Sequence, residues 1–354
     1  MYPRVEISLN KIRHNAKKLI TLCNNNGINV AVVTKVFCGI PEIAKVLVES
    51  GASILADSRV ENLKRMQSID APKLLLRLPM ISQAEEVVEF ADISLNSELD
   101  TIKELSKKAI EKDLLHKIIL MIDLGDLREG IFDENEIFQS IEEILKLEGI
   151  KLIGIGTNLT CYGGVIPNQE NLYRLVRIKE NIENKLGIKL EIVSGGNSSS
   201  LYLLEEKEGI PQGINQLRLG ESIVLGRETA YGNKIEDTYE DCFRLVVEII
   251  EMKEKPSLPI GDIGMDAFGN KPVFQDRGIR KRAICAIGKQ DISIDNIFPE
   301  DDNIIILGGS SDHLIIDVTD CLNNYRVGEK VFFRLNYGGI LSTLTSEYVK
   351  KILI

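Results

Sequence analysis

Apolar runs alternate with amphipathic stretches through the first two thirds of the chain. Several runs are apolar at successive positions, which is typical of strands buried on both faces of a parallel sheet. The runs cover residues 28–35, 53–57, 74–78, 92–96, 117–123, 152–157, 191–194 and 216–220. The stretches between them show helical spacing, as at residues 41–49, 95–112 and 135–147.

This count of strands predicts an α/β fold, a (β/α)8 TIM barrel over residues 1–226. The competing architecture is a doubly wound open sheet. An open sheet of that kind usually carries a Gly-rich phosphate loop after its first strand. Here the first run instead ends in Thr34, Lys35, Val36 and Phe37.

The pattern changes after Gly226, where helical spacing fades and short β-like runs follow one another. Gly, Pro, Asp and Asn separate these runs, which lie at residues 243–251, 282–287, 303–307, 314–318 and 330–335. They predict a mainly-β C-terminal domain over residues 227–354. A short alternating strand at residues 5–9 precedes a helix at residues 10–24, and we expect this strand to join the second domain.

The amino-acid composition excludes some classes of binding partner. The 53 acidic against 43 basic residues argue against a nucleic-acid partner, which requires a basic face. No apolar run approaches the ~20 residues of a membrane helix, so we expect no membrane partner, and the start lacks a signal-peptide core. The six cysteines and three histidines are scattered, which argues against a metal site and favours a cytoplasmic protein with reduced thiols.

The candidate chemistry follows the predicted strands, because barrel active sites collect at the C-terminal ends of the strands. Lys35 ends the first run, and a lysine at a buried strand end is unfavourable unless it is paired or used covalently. Arg77 and Arg218 lie in other runs, and residues 194–200 form a Gly/Ser segment suited to an anion. Taken singly, these features fit an ordinary salt-bridged lysine and a flexible loop.

Together they suit pyridoxal 5'-phosphate (PLP). The lysine amine would form an imine with the PLP aldehyde, the Gly/Ser segment would hold the phosphate, and an arginine would lie beside the ring nitrogen.

The chain resembles the alanine racemase-like fold type III PLP enzymes along its whole length, and more closely the amino-acid racemase branch that includes ornithine racemases. The resemblance rests on AVVTK at 31–35, DLGDLREG at 123–130, SGGNS at 194–198 and LRLG at 217–220. A second-domain motif lies at residues 306–320, and the segment GTNLTCYGG at 156–164 points to the ornithine branch.

The resemblance implies a role for each matching residue. Lys35 would carry the cofactor and exchange the substrate Cα proton on one face. Arg218 would hydrogen-bond the ring nitrogen, and as a donor that keeps its proton it would leave that nitrogen unprotonated and favour simple proton exchange. The further residues implied to contact the cofactor are Arg128, Asn158 (in place of a ring-stacking histidine), Asn197, Ser198, Gly220, Glu221 and Tyr348.

The second base is the main departure from the family. The relatives use a tyrosine from the partner subunit, but residues 261–269 contain none, and the matching position is Asp266. Asp266 is therefore the hypothesised base on the opposite face, with a loop carboxylate of no catalytic role as the alternative. Ser311 replaces a bulky residue beside Asp312, so a larger substrate such as ornithine could fit, its ammonium facing Asp266, Asp312 or Glu221.

The resemblance thus implies a PLP-dependent racemase of a small-molecule amino-acid substrate, with ornithine favoured, acting as a homodimer with active sites shared between subunits. The alternatives are an alanine, serine or broad-specificity racemase, a decarboxylase or D-threonine-type aldolase, and a non-catalytic PLP-binding protein. His313 beside Asp312 keeps the metal-dependent aldolase open. A PLP-free enzyme whose Lys35 reacts with a carbonyl substrate is a further alternative.

Overall fold

The computed structural model describes residues 1–204, 209–265, 268–269, 271 and 273–354. The chain divides into two units: a barrel unit of Leu9–Glu240, and a second unit of Met1–Ser8 with Asp241–Ile354. The change of pattern at Gly226 therefore precedes the division of the chain. Residues 227–240 stay with the barrel unit because Thr238 donates to the Gly226 carbonyl oxygen over 2.7 Å and the Asn15 side chain binds the Tyr239 backbone.

In the barrel unit, the described residues form eight parallel strands that close on themselves. After β1 (Arg4–Ile7), which belongs to the second unit, the barrel strands are β2 (Asn29–Val33), β3 (Ile54–Asp57), β4 (Lys73–Leu75), β5 (Ile93–Asn96), β6 (His116–Met121), β7 (Ile150–Gly156), β8 (Ile192–Ser194) and β9 (Gln216–Leu219). Strand β9 pairs with β2, and this pairing sets Arg218 beside Ala31. Because an open sheet lacks such a pairing, the predicted TIM barrel is confirmed.

Helices connect the strands and bury one face each against the barrel. They are α1 (Leu9–Asn25), α2 (Pro41–Glu49), α3 (Val60–Arg65), α4 (Ala84–Phe90), α5 (Leu99–Glu111), α6 (Glu134–Ile144), α7 (Gln169–Leu186) and α8 (Glu221–Leu225). Local chemistry sets their ends. Asn168 and Asn171 form a reciprocal capping box at the start of α7, and Gly187 ends that helix in the left-handed region.

The interior of the barrel is a packed apolar core. Alternate strand residues point inward, so Ala31 and Val33 of β2 share a cluster with Ile119 and Met121 of β6. This core leaves the polar residues that follow each strand at the C-terminal rim.

The second unit is built on an antiparallel sheet, as the mainly-β prediction required. Its further elements are β10 (Phe243–Pro256), β11 (Ile279–Cys285), β12 (Ile297–Pro299), β13 (Ile305–Gly309), β14 (Leu314–Asp317), β15 (Lys330–Leu335), α9 (Tyr337–Thr345) and β16 (Lys350–Leu353). The strand order is β12-β15-β10-β11-β14-β13, and β1 pairs with β10 and with β16. No helix among the described residues is long and apolar enough to cross a membrane.

The sequence pattern did not predict helix α9, because the glycines of this helix weaken helical propensity. Tertiary contacts explain those glycines. A Cβ on Gly339 would lie 2.4 Å from the backbone oxygen of Asn296, and one on Gly338 would meet the Asn296 side chain at 2.5 Å. The helix is capped by Asn336, whose side chain accepts from Gly339 N at 3.0 Å.

The pH dependence of stability provides a first test, centred on His116. Its ring Nε2 lies 2.7 Å from Ser94 Oγ, and burial lowers the pKa of His116 from 6.5 to about 4. The unfolded chain therefore takes up a proton that the folded chain excludes, and stability falls as the pH falls below 6.5. We expect His116→Asn to remove about 2 kcal/mol of the loss in unfolding free energy between pH 7 and pH 5.

Urea unfolding at the two pH values measures this difference. An unaltered pH dependence in His116→Asn would contradict the assignment.

Candidate functional site at the barrel rim

Lys35 lies immediately after β2, in a single turn of 3-10 helix at Lys35–Phe37. Its neighbours Thr34, Val36 and Phe37 are buried, whereas the Lys35 side chain is exposed. The sequence predicted a lysine at a buried strand end, but the Lys35 side chain is not buried. The turn that follows β2 places this side chain at the surface of the barrel unit, where a charged group is not strongly desolvated.

A fully buried carboxylate anchors the turn that carries Lys35. Asp57, at the end of β3, accepts from Thr34 Oγ1 at 2.5 Å, from Asn62 Nδ2 at 3.0 Å and from Arg59 N at 2.9 Å. Burial raises the pKa of the Asp57 carboxyl group, while these hydrogen bonds act in the opposite direction. The residue before Lys35 is thus tied to the neighbouring strand.

Arg218 is the buried cation of the rim, with only 4% of its surface exposed. Its guanidinium donates to Ser194 Oγ, to the Thr157 carbonyl oxygen at 2.7 Å and to Asn158 Oδ1 at 3.4 Å. Burial lowers the pKa of Arg218 to about 10, so the side chain stays charged at neutral pH. A donor that stays protonated is thus fixed beside the ends of β7 and β8.

Asn158 and Asn197 extend this network toward the loop after β6. Asn197 Nδ2 donates to Asn158 Oδ1 and to the Leu159 carbonyl oxygen, both at 2.9 Å. Asn158 Nδ2 reaches Glu129 Oε1 at 3.3 Å, and Glu129 pairs with the adjacent Arg128. The structure therefore brings Arg128, Asn158, Asn197 and Arg218 into one hydrogen-bonded group.

Hydroxyl and backbone N–H groups converge where β8 and β9 end. Ser198 Oγ lies 3.0 Å from Ser222 Oγ, 3.2 Å from Ser222 N and 3.4 Å from Gly220 N. A Cβ on Gly220 would lie 2.9 Å from Val33 Cβ, so glycine is required for β9 to approach β2 here. Nearby in sequence, the buried hydroxyls of Thr157 and Ser199 have no hydrogen-bond partner within the described ranges.

The remaining predicted site residues belong to the second unit. Tyr348 is exposed just before β16, and its backbone N–H donates to Ser346 Oγ over 3.0 Å. Ser311 and Asp312 are exposed in the turn between β13 and β14, where Ser311 Oγ donates to Asp312 Oδ2 over 2.7 Å. Asp266 lies outside the described residues.

The metal-dependent alternative requires a cluster of side chains that could bind an ion. In the part of the chain that the structure describes, no group of three or more His, Cys, Asp and Glu side chains could hold a metal ion. His313 instead lies with its Nδ1 3.4 Å from Ser310 Oγ.

Comparison with known proteins places this site in a family. The profile of the alanine racemase N-terminal domain matches residues 7–228. The chain belongs to the alanine racemase family. It is 51% identical over 354 residues to the ornithine racemase of Acetoanaerobium sticklandii, covering 100% of both chains. It is 45% identical over 354 residues to the lysine racemase of Thermotoga maritima, covering 99% of this chain and 98% of that one.

Solved structures agree on the fold of this alanine racemase family member. The alanine racemase of Bartonella henselae with covalently bound pyridoxal phosphate superposes with a TM-score of 0.75 at 17% identity, covering 100% of both chains. At 17% identity, the similarity to this structure supports a shared fold and nothing further.

Four residues to which the sequence had assigned no role also contribute to the rim. Asp57 and Thr34 form their pair across two strands, and Glu129 joins Arg128 to Asn158. Cys161 Sγ lies 3.4 Å from the amide nitrogens of both Asn158 and Asn197. The position of Asp57 could have been used to predict its role, because a carboxylate at the end of a buried strand needs hydrogen-bond donors.

The pairing of Thr34 with Asp57 yields a second prediction. Thr34→Val keeps the shape of the side chain but removes the donor to a buried carboxylate, and we expect it to lower the unfolding free energy by about 1–3 kcal/mol. Thr34→Ser keeps the hydroxyl and should lose less. Urea unfolding of the three proteins measures both effects, and a Thr34→Val variant as stable as the wild type would refute the pairing.

Proposed function

We propose that this protein is a PLP-dependent racemase of free amino acids, with ornithine as the favoured substrate. The observation that carries the proposal is the 51% identity to an ornithine racemase along the entire chain. The 45% identity to a lysine racemase supports a substrate with a cationic side chain. The hydrogen-bonded residues at the barrel rim supply the groups that such a reaction needs.

The donor set at the rim fits PLP. Ser198 and Ser222 would contribute hydroxyls, and Gly220 and Glu221 would contribute backbone N–H groups, a set that suits a phosphate. Ser198 Oγ lies within reach of the N–H groups of Gly220 and Ser222. The buried hydroxyls of Thr157, after β7, and of Ser199, after β8, have no partner among the described residues. Buried polar groups are normally hydrogen-bonded, so unpaired hydroxyls here are consistent with a polar ligand.

PLP, when bound, withdraws electrons from the substrate α-carbon and makes its proton removable. Lys35 would hold the cofactor and move that proton at Nζ on one face of the α-carbon. Its side chain is exposed on a short turn, and the hydrogen bond from Thr34 to Asp57 fixes where that turn begins.

Arg218 would donate to the ring nitrogen. Since its pKa stays near 10 even when buried, it keeps its proton and does not protonate that nitrogen. Withdrawal of electrons from the α-carbon is then weaker, which favours simple proton exchange over side reactions. Asn158 and Asn197 would orient Arg218, and Arg128 would lie near the phenolic oxygen.

In a homodimer, residues of the second unit of a partner subunit would complete the site. We propose that Tyr348 holds the phosphate, that Asp266 is the base on the opposite face, and that Ser311 and Asp312 border the substrate. By the family's arrangement, some of these residues would come from a partner subunit in a homodimer. Gel filtration coupled to light scattering tests the homodimer directly.

Solvent exchange is the direct test of function. The purified protein, given PLP in deuterium oxide, is expected to incorporate deuterium at the α-carbon of ornithine and to interconvert its enantiomers, with lysine slower and alanine slowest. Mass spectrometry and chiral chromatography measure the two processes. Absence of exchange into every amino acid offered would refute the proposal, and decarboxylated or cleaved products would favour the alternative PLP reactions.

Lys35→Ala separates the cofactor from the fold. We expect this variant to lose the visible absorbance that PLP gains when joined to a lysine, and to lose racemisation almost completely. Lys45→Ala on helix α2 is the control and should retain both. Retention of the visible band by Lys35→Ala, or its resistance to borohydride in the wild type, would contradict the role of Lys35.

A further inference from the structure

We infer that the carboxylate of Glu221 binds the terminal ammonium group of the substrate and so selects cationic amino acids. The inference rests on the proposed function and names the residue that gives it specificity. Glu221 is the first residue of α8, directly after Gly220. Glu221 therefore lies two residues after the end of β9, which is the strand that closes the barrel by pairing with β2.

Its position brings Glu221 near the proposed reacting centre. Gly220 packs against Val33, two residues before Lys35, and the charge of Lys35 acts on the Glu221 carboxyl group. A substrate whose α-carbon meets Lys35 would place a side-chain ammonium, a short methylene chain away, within reach of the same part of the rim.

Four other carboxylates that follow the barrel strands have donors, and Glu98 after β5 is exposed to solvent. Asp57 binds Thr34 and Asn62, and Glu129 pairs with Arg128. Asp123 accepts from Gly125 N and Leu127 N, and Asp126 accepts from Tyr162 N and Val165 N. Their oxygens are committed to holding the rim loops together.

Glu221 differs from all of these. Its side-chain carboxylate has no hydrogen bond or ion pair with any described residue, although the residue is half-buried. Burial raises the pKa of its carboxyl group, against the charges of Arg227 and Lys35. Arg227 is itself paired with Glu240. The ammonium group of a bound substrate would therefore supply the ion-pair partner that the Glu221 carboxylate lacks among the described residues.

Comparison of ornithine with norvaline, which has the same carbon chain without the ammonium, tests the inference. In Glu221→Gln we expect kcat/KM for ornithine to fall about 10- to 100-fold, mostly through KM, while norvaline changes little. Glu221→Asp, which keeps the charge, should retain part of the preference. Glu98→Gln removes an exposed carboxylate just after β5 and should leave the preference unchanged.

Binding provides a readout that does not depend on turnover. Spectral titration of the PLP-loaded proteins gives Kd for both amino acids, and titration of the apoproteins gives Kd for PLP, which Glu221→Gln should leave unchanged. Equal losses for ornithine and norvaline, or weaker PLP binding alone, would overturn the inference.

Different results would refute the proposed function and the role of Glu221. A wild-type protein that exchanges no α-proton refutes the proposed function. Tighter binding of ornithine than norvaline, abolished in Glu221→Gln, would still support the role of Glu221, whereas equal binding of both by the wild type would refute it.

Discussion

The pairing of β9 with β2 is the constraint on which the candidate site depends. This parallel register sets Leu219 beside Val32, and the missing side chain at Gly220 lets the two strand ends approach. Without that contact, the residues after β2 and those after β9 would lie at opposite edges of an open sheet. Closure instead brings the residues that follow β2, including Lys35, and those that follow β9, including Glu221, to the same part of the rim, although they are far apart in sequence.

A buried guanidinium next to this join requires extensive hydrogen bonding, because an uncompensated charge in the interior is strongly unfavourable. Arg218 meets this requirement with Ser194, Thr157 and Asn158, which follow or end β7 and β8. The same bonds fix the orientation of the guanidinium. The hydrogen bonds that stabilise the buried charge are therefore the same ones that would hold Arg218 in the orientation that its proposed role requires.

The sequence predicted the parts of the protein that follow from local pattern. Runs of buried residues identified the barrel, and the rule that active sites lie at strand ends selected Lys35, Arg218 and Ser198. Contacts between distant segments carry no such pattern. The Asp57–Thr34 pair, the link from Glu129 to Asn158 and the attachment of residues 227–240 to the barrel unit all depend on the closed fold. Helix α9 was missed for the same reason, since Asn296 and not local propensity explains its glycines.

Proton exchange and substrate choice have separate requirements at this rim. Exchange needs groups whose protonation is fixed, and those groups are held by several bonds each, as Arg218 is. Recognition of a side-chain ammonium needs a carboxylate whose oxygens are still available, and a carboxylate that stabilises a loop cannot supply them. Glu221 meets the second requirement because it begins a short helix and leaves loop stabilisation to Asp57, Asp123 and Asp126. Under the proposal, a substitution of Glu221 would therefore change which amino acid is accepted while the residues proposed to hold the cofactor stay in place.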